Sequence, residues 1–279
     1  MEDHISRALA QSGRNNKTAR NWMVPPPNSG DVRGLSGNSN LGQEITLDDH
    51  ELARRLILSG ENAQSMMVSD RYRLLRTRLR QVMEPREWNS VGVTSPSSKE
   101  GKSLTSINLS IVASRETSGP VVLIDADIRR PSIASYLGFE PKAGLVDYFR
   151  DDAGLEDIVF RPTNFPNLSV VAAGNPGDSP EIVETLGSQK MDAVIKQLGA
   201  QASLVVVDLP PALVADDVLS VAPQLDSLLL VVRDGETDLG HLKKTRELLD
   251  DFNIIGTVLN ASDEDSADQH NYYYDPARS

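Results

Sequence analysis

Six short runs constrain this chain of 279 residues more than any other feature: SVGVTS (90–95), VVLIDA (121–126), LSVVAAG (168–174), SLVVVDLP (203–210), SLLLVVR (227–233) and IIGTVLN (254–260). They are rich in β-branched residues and apolar almost throughout, where a strand with one wet face would alternate. Such runs belong to strands covered on both faces, as in a parallel sheet. Between them the pattern turns helical, at 102–115, 180–198 and 236–252. This βαβ order predicts an α/β fold, a doubly wound, mainly parallel sheet flanked by helices. No internal repeat interrupts it.

Before the first strand, DRYRLLRTRLRQVM (70–83) places Tyr72, Leu75, Leu79 and Val82 at three- and four-residue spacing, one face of a helix. Asp70, Arg73, Arg76 and Arg80 share another face. That face is either a solvated stripe or a basic side offered to an acidic partner. Upstream, ITLDDHELARRLILSG suggests a helix opened by aspartate and ended at Gly60. Residues 14–44 are rich in Asn, Gly, Ser and Pro and bury too little to offset their ordering entropy. The expected division is a flexible arm over 1–44, a folded domain over 45–262 that includes the helix at 70–83, and a disordered tail over 263–279. That tail is acidic, and it holds Tyr272, Tyr273 and Tyr274, half of the chain's 6 tyrosines. Three phenols stand where no core can reach them.

Composition removes several classes of function. A net charge of −12 opposes general nucleic-acid binding. With no cysteine there are no disulfides, thiolate nucleophiles or Cys-ligated metals, which suits a reducing cytoplasm. The 4 histidines form no HxxxH or HExxH pattern. No apolar run approaches the roughly 18 residues of a membrane helix, and the N-terminus lacks a signal-peptide core. The expectation is a soluble cytoplasmic protein that meets a membrane only through a partner.

Ligands of such sheets bind at the C-terminal strand ends. The first long strand runs into TSPSSKEGKSLTSINLS, where Gly101, Lys102 and Ser103 open an amphipathic helix with Leu104, Ile107 and Ile111 toward the sheet. Backbone N–H groups of such a loop converge on phosphate; Lys102 can reach the β- and γ-phosphates and Ser103 can ligate Mg²⁺. The pattern G-x-x-x-x-G-K-[ST] wants glycine at position 96, and the chain has Pro96. An ordinary βα turn stays open as the plain alternative. The next strand ends in VVLIDADIRRP, with Asp125 and Asp127 two residues apart. One could accept a proton while the other positions a metal; N-capping of the following helix is the plain reading, more natural for Asp127 than for both. A third strand ends in LVVVDLPP, where Asp208 fits a strand-end carboxylate that holds Mg²⁺ through water.

These motifs, in this order and followed by a tyrosine-bearing tail, resemble the bacterial protein-tyrosine autokinases of polysaccharide synthesis (BY-kinases), relatives of the MinD/ParA ATPases. The likeness runs from about position 45 to the C-terminus. AGLVDYF and AAGNPGDSPEIVETLGSQKM resemble the linking segments of that family, and SDRYRLLRTRL its E-x-x-R-x-x-R oligomerisation helix, with Asp70, Arg73 and Arg76 on the three positions. LDDHELARRLILSG is similar to the lead-in of the soluble branch found with exosortase-type exopolysaccharide loci.

The resemblance implies that ATP and Mg²⁺ bind at Ser98, Lys99, Glu100, Gly101, Lys102, Ser103 and Leu104, with Asn260 near the adenine. It makes Lys102, Asp125 and Asp127 catalytic, with Asp125 as base toward the tyrosyl hydroxyl, and it gives the metal to Ser103, Asp127 and Asp208. Tyr272, Tyr273 and Tyr274 would be the phosphoacceptors, presented to a neighbour in a ring. Implied partners are further copies of the chain, a membrane polysaccharide co-polymerase that activates it, and a cognate tyrosine phosphatase. Departures are Pro96, Lys99 for a usual glycine, Leu209 for a usual Ser or Thr, and Asp70 for Glu. Two alternatives remain: a MinD/ParA-like ATPase switch, although position 97 is Ser where that loop carries its second lysine, and a non-catalytic scaffold of an export complex.

Overall fold

The computed structural model describes residues 41–58, 63–116, 119–175, 177 and 184–262. Residues 1–40 of the expected arm over 1–44, and the tyrosine tail over 263–279, lie outside the described residues. In chain order the elements are β1 (Gln43–Ile45), α1 (Asp49–Arg54), α2 (Ala63–Met83), β2 (Ser90–Thr94), α3 (Lys102–Glu116), β3 (Val121–Asp125), α4 (Ile133–Leu137), α5 (Leu145–Phe149), α6 (Leu155–Ile158), β4 (Val159–Pro162), β5 (Leu168–Val171), α7 (Gln189–Gly199), β6 (Leu204–Asp208), α8 (Asp217–Val221), β7 (Ser227–Arg233), α9 (Leu239–Leu248) and β8 (Ile254–Asn260).

The strands form one 8-stranded sheet in the order β1-β4-β5-β3-β6-β2-β7-β8. All neighbours are parallel except β4 and β5. The six expected strands are present, and β1 and β4 are additions. β1 is only three residues long and β4 four, too short to show a pattern in sequence. β1 pairs Gln43 with Phe160 and Glu44 with Arg161, so these two residues of the expected arm belong to the sheet.

Successive side chains of a strand point to opposite faces, and both faces are covered. Val122 and Ile124 of β3, Val205 and Val207 of β6, and Leu228 and Leu230 of β7 enter one apolar cluster. Their odd-and-even partners Val121, Leu123, Leu204, Val206, Leu229 and Val231 enter the other. This second layer contains α3, whose Ile107, Leu109, Ile111 and Val112 are buried, with α2 packed outside it through Leu79 and Met83.

Four helix boundaries differ from expectation. α1 is capped by Asp48, which accepts the N–H of His50 and Glu51, but it stops at Arg54 rather than Gly60. Leu56 turns into the left-handed region at φ 61°, and the Leu58 N–H leaves the helix for Asn108 Oδ1 of α3. α2 begins at Ala63 instead of 70. The helix expected over 180–198 is a 3₁₀ turn (Thr185–Gly187) and then α7, restarted by Ser188, whose side chain caps Lys190 N–H; residues 178–183 lie outside the described residues. α9 starts at its Asp238 cap rather than at 236. Among the described residues no helix is long and apolar enough to cross a membrane.

Candidate nucleotide and phosphoryl-transfer site

Strand register decides which acids meet. Val121 and Leu123 of β3, and Leu204 and Val206 of β6, point to the layer that holds α3, so by alternation Asp125 and Asp208 point there too. The two aspartates are register partners on adjacent strands. α3 starts above them, which brings Lys102 and Ser103 onto the acids. Lys102 Nζ lies 2.9 Å from Asp127 Oδ2 and 3.2 Å from Asp208 Oδ2. Ser103 donates its hydroxyl hydrogen to Asp208 Oδ2 at 2.6 Å, and Ser106 Oγ reaches Asp208 Oδ1 at 3.1 Å. All of these side chains are buried.

Asp125 and Asp127 take different partners. Asp125 Oδ2 accepts the N–H of Ser132 and of Ile133, each at 3.0 Å, and its Oδ1 accepts Asp127 N–H at 3.2 Å. The plain capping reading therefore falls on Asp125, because its strand-end direction aims it at the start of α4. Asp127, beyond the strand, meets Lys102.

The electrostatics follow from packing buried acids close together. Burial, reinforced by the facing Asp208 carboxylate, pushes Asp125 up to about 7, against the Ile133 and Ser132 N–H groups and the Lys102 charge. Burial also raises Asp208, while Lys102 and the Ser103 hydroxyl pull it back. For Lys102, burial favours the neutral amine, but Asp208 and Asp127 outweigh it and hold the ammonium above the ordinary lysine value.

The loop before α3 is clasped from the far strands. Asn260, at the end of β8, donates Nδ2–H to Glu100 O at 3.0 Å. A Cβ on Gly101 would lie 1.9 Å from that Nδ2, and φ there is +96°, so only glycine fits. Glu100 folds back into its own loop: Oε2 accepts Ser97 N–H at 2.9 Å and Oε1 accepts the Thr237 hydroxyl at 2.8 Å. Arg233 Nη1 donates to Lys99 O at 3.3 Å. Pro96 is buried, its carbonyl accepting Leu213 N–H at 3.3 Å. Ser98 and Lys99 are exposed; the Leu104 side chain packs against the core, so any ligand contact there falls to its main chain.

These residues fit a magnesium nucleotide. Mg²⁺ takes one or two carboxylates, phosphate oxygens and water rather than an all-protein cage. Among the described residues no set of three or more His, Asp or Glu side chains forms such a cage. Instead Asp127 and Asp208 already converge on one cation, the Lys102 ammonium, with the Ser103 hydroxyl beside it. Asp70, Arg73 and Arg76 sit apart on α2, where Asp70 and Arg73 form an exposed ion pair at 2.9 Å. The tyrosines 272–274 lie outside the described residues. Sequence reasoning missed Ser106, Ser132, Arg233 and Thr237. Ser106 follows Lys102 by one helical turn and was findable; the other three reach the site only through the fold.

No protein-family model matches the chain. Over 194 residues it is 34% identical to EpsB of Ralstonia nicotianae, covering 68% of this chain and 25% of that protein. The chain thus spans about a quarter of the length of the first curated relatives it matches. Tyrosine-protein kinase YwqD of Bacillus subtilis is 28% identical over 207 residues, 74% of this chain and 86% of that one. The kinase domain of the Escherichia coli tyrosine kinase ETK superposes with a TM-score of 0.65 at 26% identity, covering 69% of this chain and 74% of that one. The cell-division ATPase MinD of Pyrococcus furiosus shares the fold, with a TM-score of 0.52, 23% identity, and 63% and 75% coverage. With the lysine-serine loop and strand-tip acids described above, the chain is similar in sequence and fold to the kinase domains of bacterial tyrosine-protein kinases, and it shares its fold with the MinD-like ATPases.

Proposed function

We propose that this chain is an ATP- and Mg²⁺-dependent protein-tyrosine autokinase that phosphorylates Tyr272, Tyr273 and Tyr274 in trans and thereby regulates exopolysaccharide or capsule synthesis and export. The observation that carries the proposal is the meeting of Lys102 with Asp127 and Asp208 at 2.9 and 3.2 Å beside the Ser103 hydroxyl. Lys102 exchanges its carboxylates for the β- and γ-phosphates. Bound Mg²⁺, held by Ser103, Asp127 and Asp208, supplies charge neutralisation on the phosphates. The γ-phosphoryl passes to the tyrosyl oxygen, ADP leaves, and the phenolic proton goes to Asp125, whose value near 7 suits a base at neutral pH. Asp125 must first loosen its hold on the Ser132 and Ile133 N–H groups.

Phosphoryl transfer is mostly positioning and charge stabilisation, so a tethered tyrosine needs little recognition beyond a high effective concentration. A homo-oligomeric ring built through Asp70, Arg73 and Arg76 supplies the neighbouring site. A membrane polysaccharide co-polymerase recruits and activates the chain at the cytoplasmic membrane face, and a phosphatase resets it.

The shared MinD fold favours one second reading, an ATPase switch that transfers phosphate to water. Incubation with γ-labelled ATP separates the two. Label mapping to the last nine residues, and falling about 100-fold or more in Lys102→Met, is the expected result. Free phosphate with no labelled tail means a switch; neither product means a scaffold.

A further inference from the structure

Ser132 occupies the N-cap of α4 and makes no capping hydrogen bond with its side chain. Serine is favoured at that position because its oxygen takes an N–H of the first turn. Here Asp125 Oδ2 meets the helix start instead, accepting the N–H of Ser132 itself and of Ile133 at 3.0 Å, and the Ser132 side chain carries no capping role. The Ser132 hydroxyl lies 2.9 Å from the Ser103 hydroxyl at the start of α3.

Counting hydrogens fixes the direction of that bond. A serine hydroxyl has one hydrogen and two acceptor lone pairs. Ser103 spends its hydrogen on Asp208 Oδ2 at 2.6 Å, so Ser132 is the donor to Ser103. The second lone pair of Ser103 accepts from Lys102 Nζ at 3.2 Å. When Lys102 turns to phosphate, that lone pair is freed and the one bound by Ser132 is not. Ser103 is then pinned at two points, with a single lone pair available to a cation.

We propose that Ser132 is a positioning residue of the magnesium-nucleotide site, its hydroxyl fixing Ser103 so that one lone pair faces the metal. The proposal rests on the nucleotide reading above and extends it to a residue from a second strand–helix junction. Because the Ser132 N–H is bound by Asp125, the same residue joins the metal side of the site to the proposed base.

The test is calorimetric titration of the full chain with ATP, once with excess Mg²⁺ and once with EDTA, for wild type, Ser132→Ala and Ser132→Thr. Ser132→Ala is expected to weaken Mg·ATP about tenfold, the worth of one net hydrogen bond, and to leave metal-free ATP within about twofold. Ser132→Thr, which keeps the hydroxyl, should restore the wild-type value. Ser132→Gly, which suits an N-cap backbone, repeats the test should the alanine variant fail to fold. Equal weakening with and without Mg²⁺, or none at all, overturns the role of Ser132 alone. A wild type whose affinity ignores Mg²⁺ overturns the parent reading, and Ser132 falls with it.

Discussion

Lys99 stands at φ +69° in the phosphate loop, in the left-handed region where a side chain costs about 1–2 kcal/mol. A glycine there would relieve that strain but give the unfolded chain more freedom. Lys99→Gly is therefore expected to raise stability by about 0.5–1 kcal/mol, read as a higher urea midpoint without nucleotide. Asp125 gives the opposite kind of lever. Its carboxyl titrates near 7 when folded and at 3.8 as a free group, so between those values the folded chain keeps a proton that the unfolded chain has released. Stability contributed by this group is full below pH 3.8 and is lost as pH rises through 7. Asp125→Asn keeps an acceptor for the α4 N–H groups and removes the buried charge. It should raise Tm at pH 8 by about 3 °C or more, flatten the pH dependence of Tm, and abolish tail labelling. A Tm unchanged at pH 8 would mean that the pocket holds the carboxylate without strain.

At the scale of elements, α3 joins the candidate site to the segment that follows α1. Its N-terminus brings Lys102 and Ser103 to the acids, and its body anchors the chain that follows α1. Asn108, buried, accepts Leu58 N–H at 3.0 Å and donates to Leu56 O at 3.1 Å, while Arg115 donates to Leu58 O at 2.9 Å. These bonds hold the chain just beyond α1, whose own end is closed by backbone bonds from Leu56 N–H to Ala53 O and from Ile57 N–H to Leu52 O. Asn108→Ala would leave a buried N–H without its acceptor, at about 2–3 kcal/mol, measurable by urea unfolding, with nucleotide affinity little changed. On α2 the exposed Asp70–Arg73 pair contributes little to stability. Arg73→Ala should leave the monomer's Tm within about 1 °C and, on the proposed role of this helix, lower the oligomer size seen by analytical ultracentrifugation.

For the whole molecule, charge is the means by which the reaction would act on assembly. The chain already carries −12, and each phosphate adds about −1.5 to −2 at neutral pH. Phosphorylated oligomers are expected to dissociate more readily than a variant with Phe at 272–274, and the difference should shrink in 1 M salt, where the screening length falls to about 3 Å. Equal dissociation of the two forms would remove the link between tail phosphorylation and assembly. Much of the architecture was legible in the sequence, because period and composition are local: the unbroken apolar strands required a sheet covered on both faces, and the lysine-serine loop, Asp125, Asp127 and Asp208 all stood at strand ends. What the chain alone could not state was strand order. Only the tertiary structure makes β3 and β6 neighbours, sets Asp125 beside Asp208, turns Asp125 rather than Asp127 to the start of α4, and brings Ser132, Thr237 and Asn260 to a loop many residues away. Those pairings depend on register and crossover between distant segments, and no local pattern of side chains encodes them.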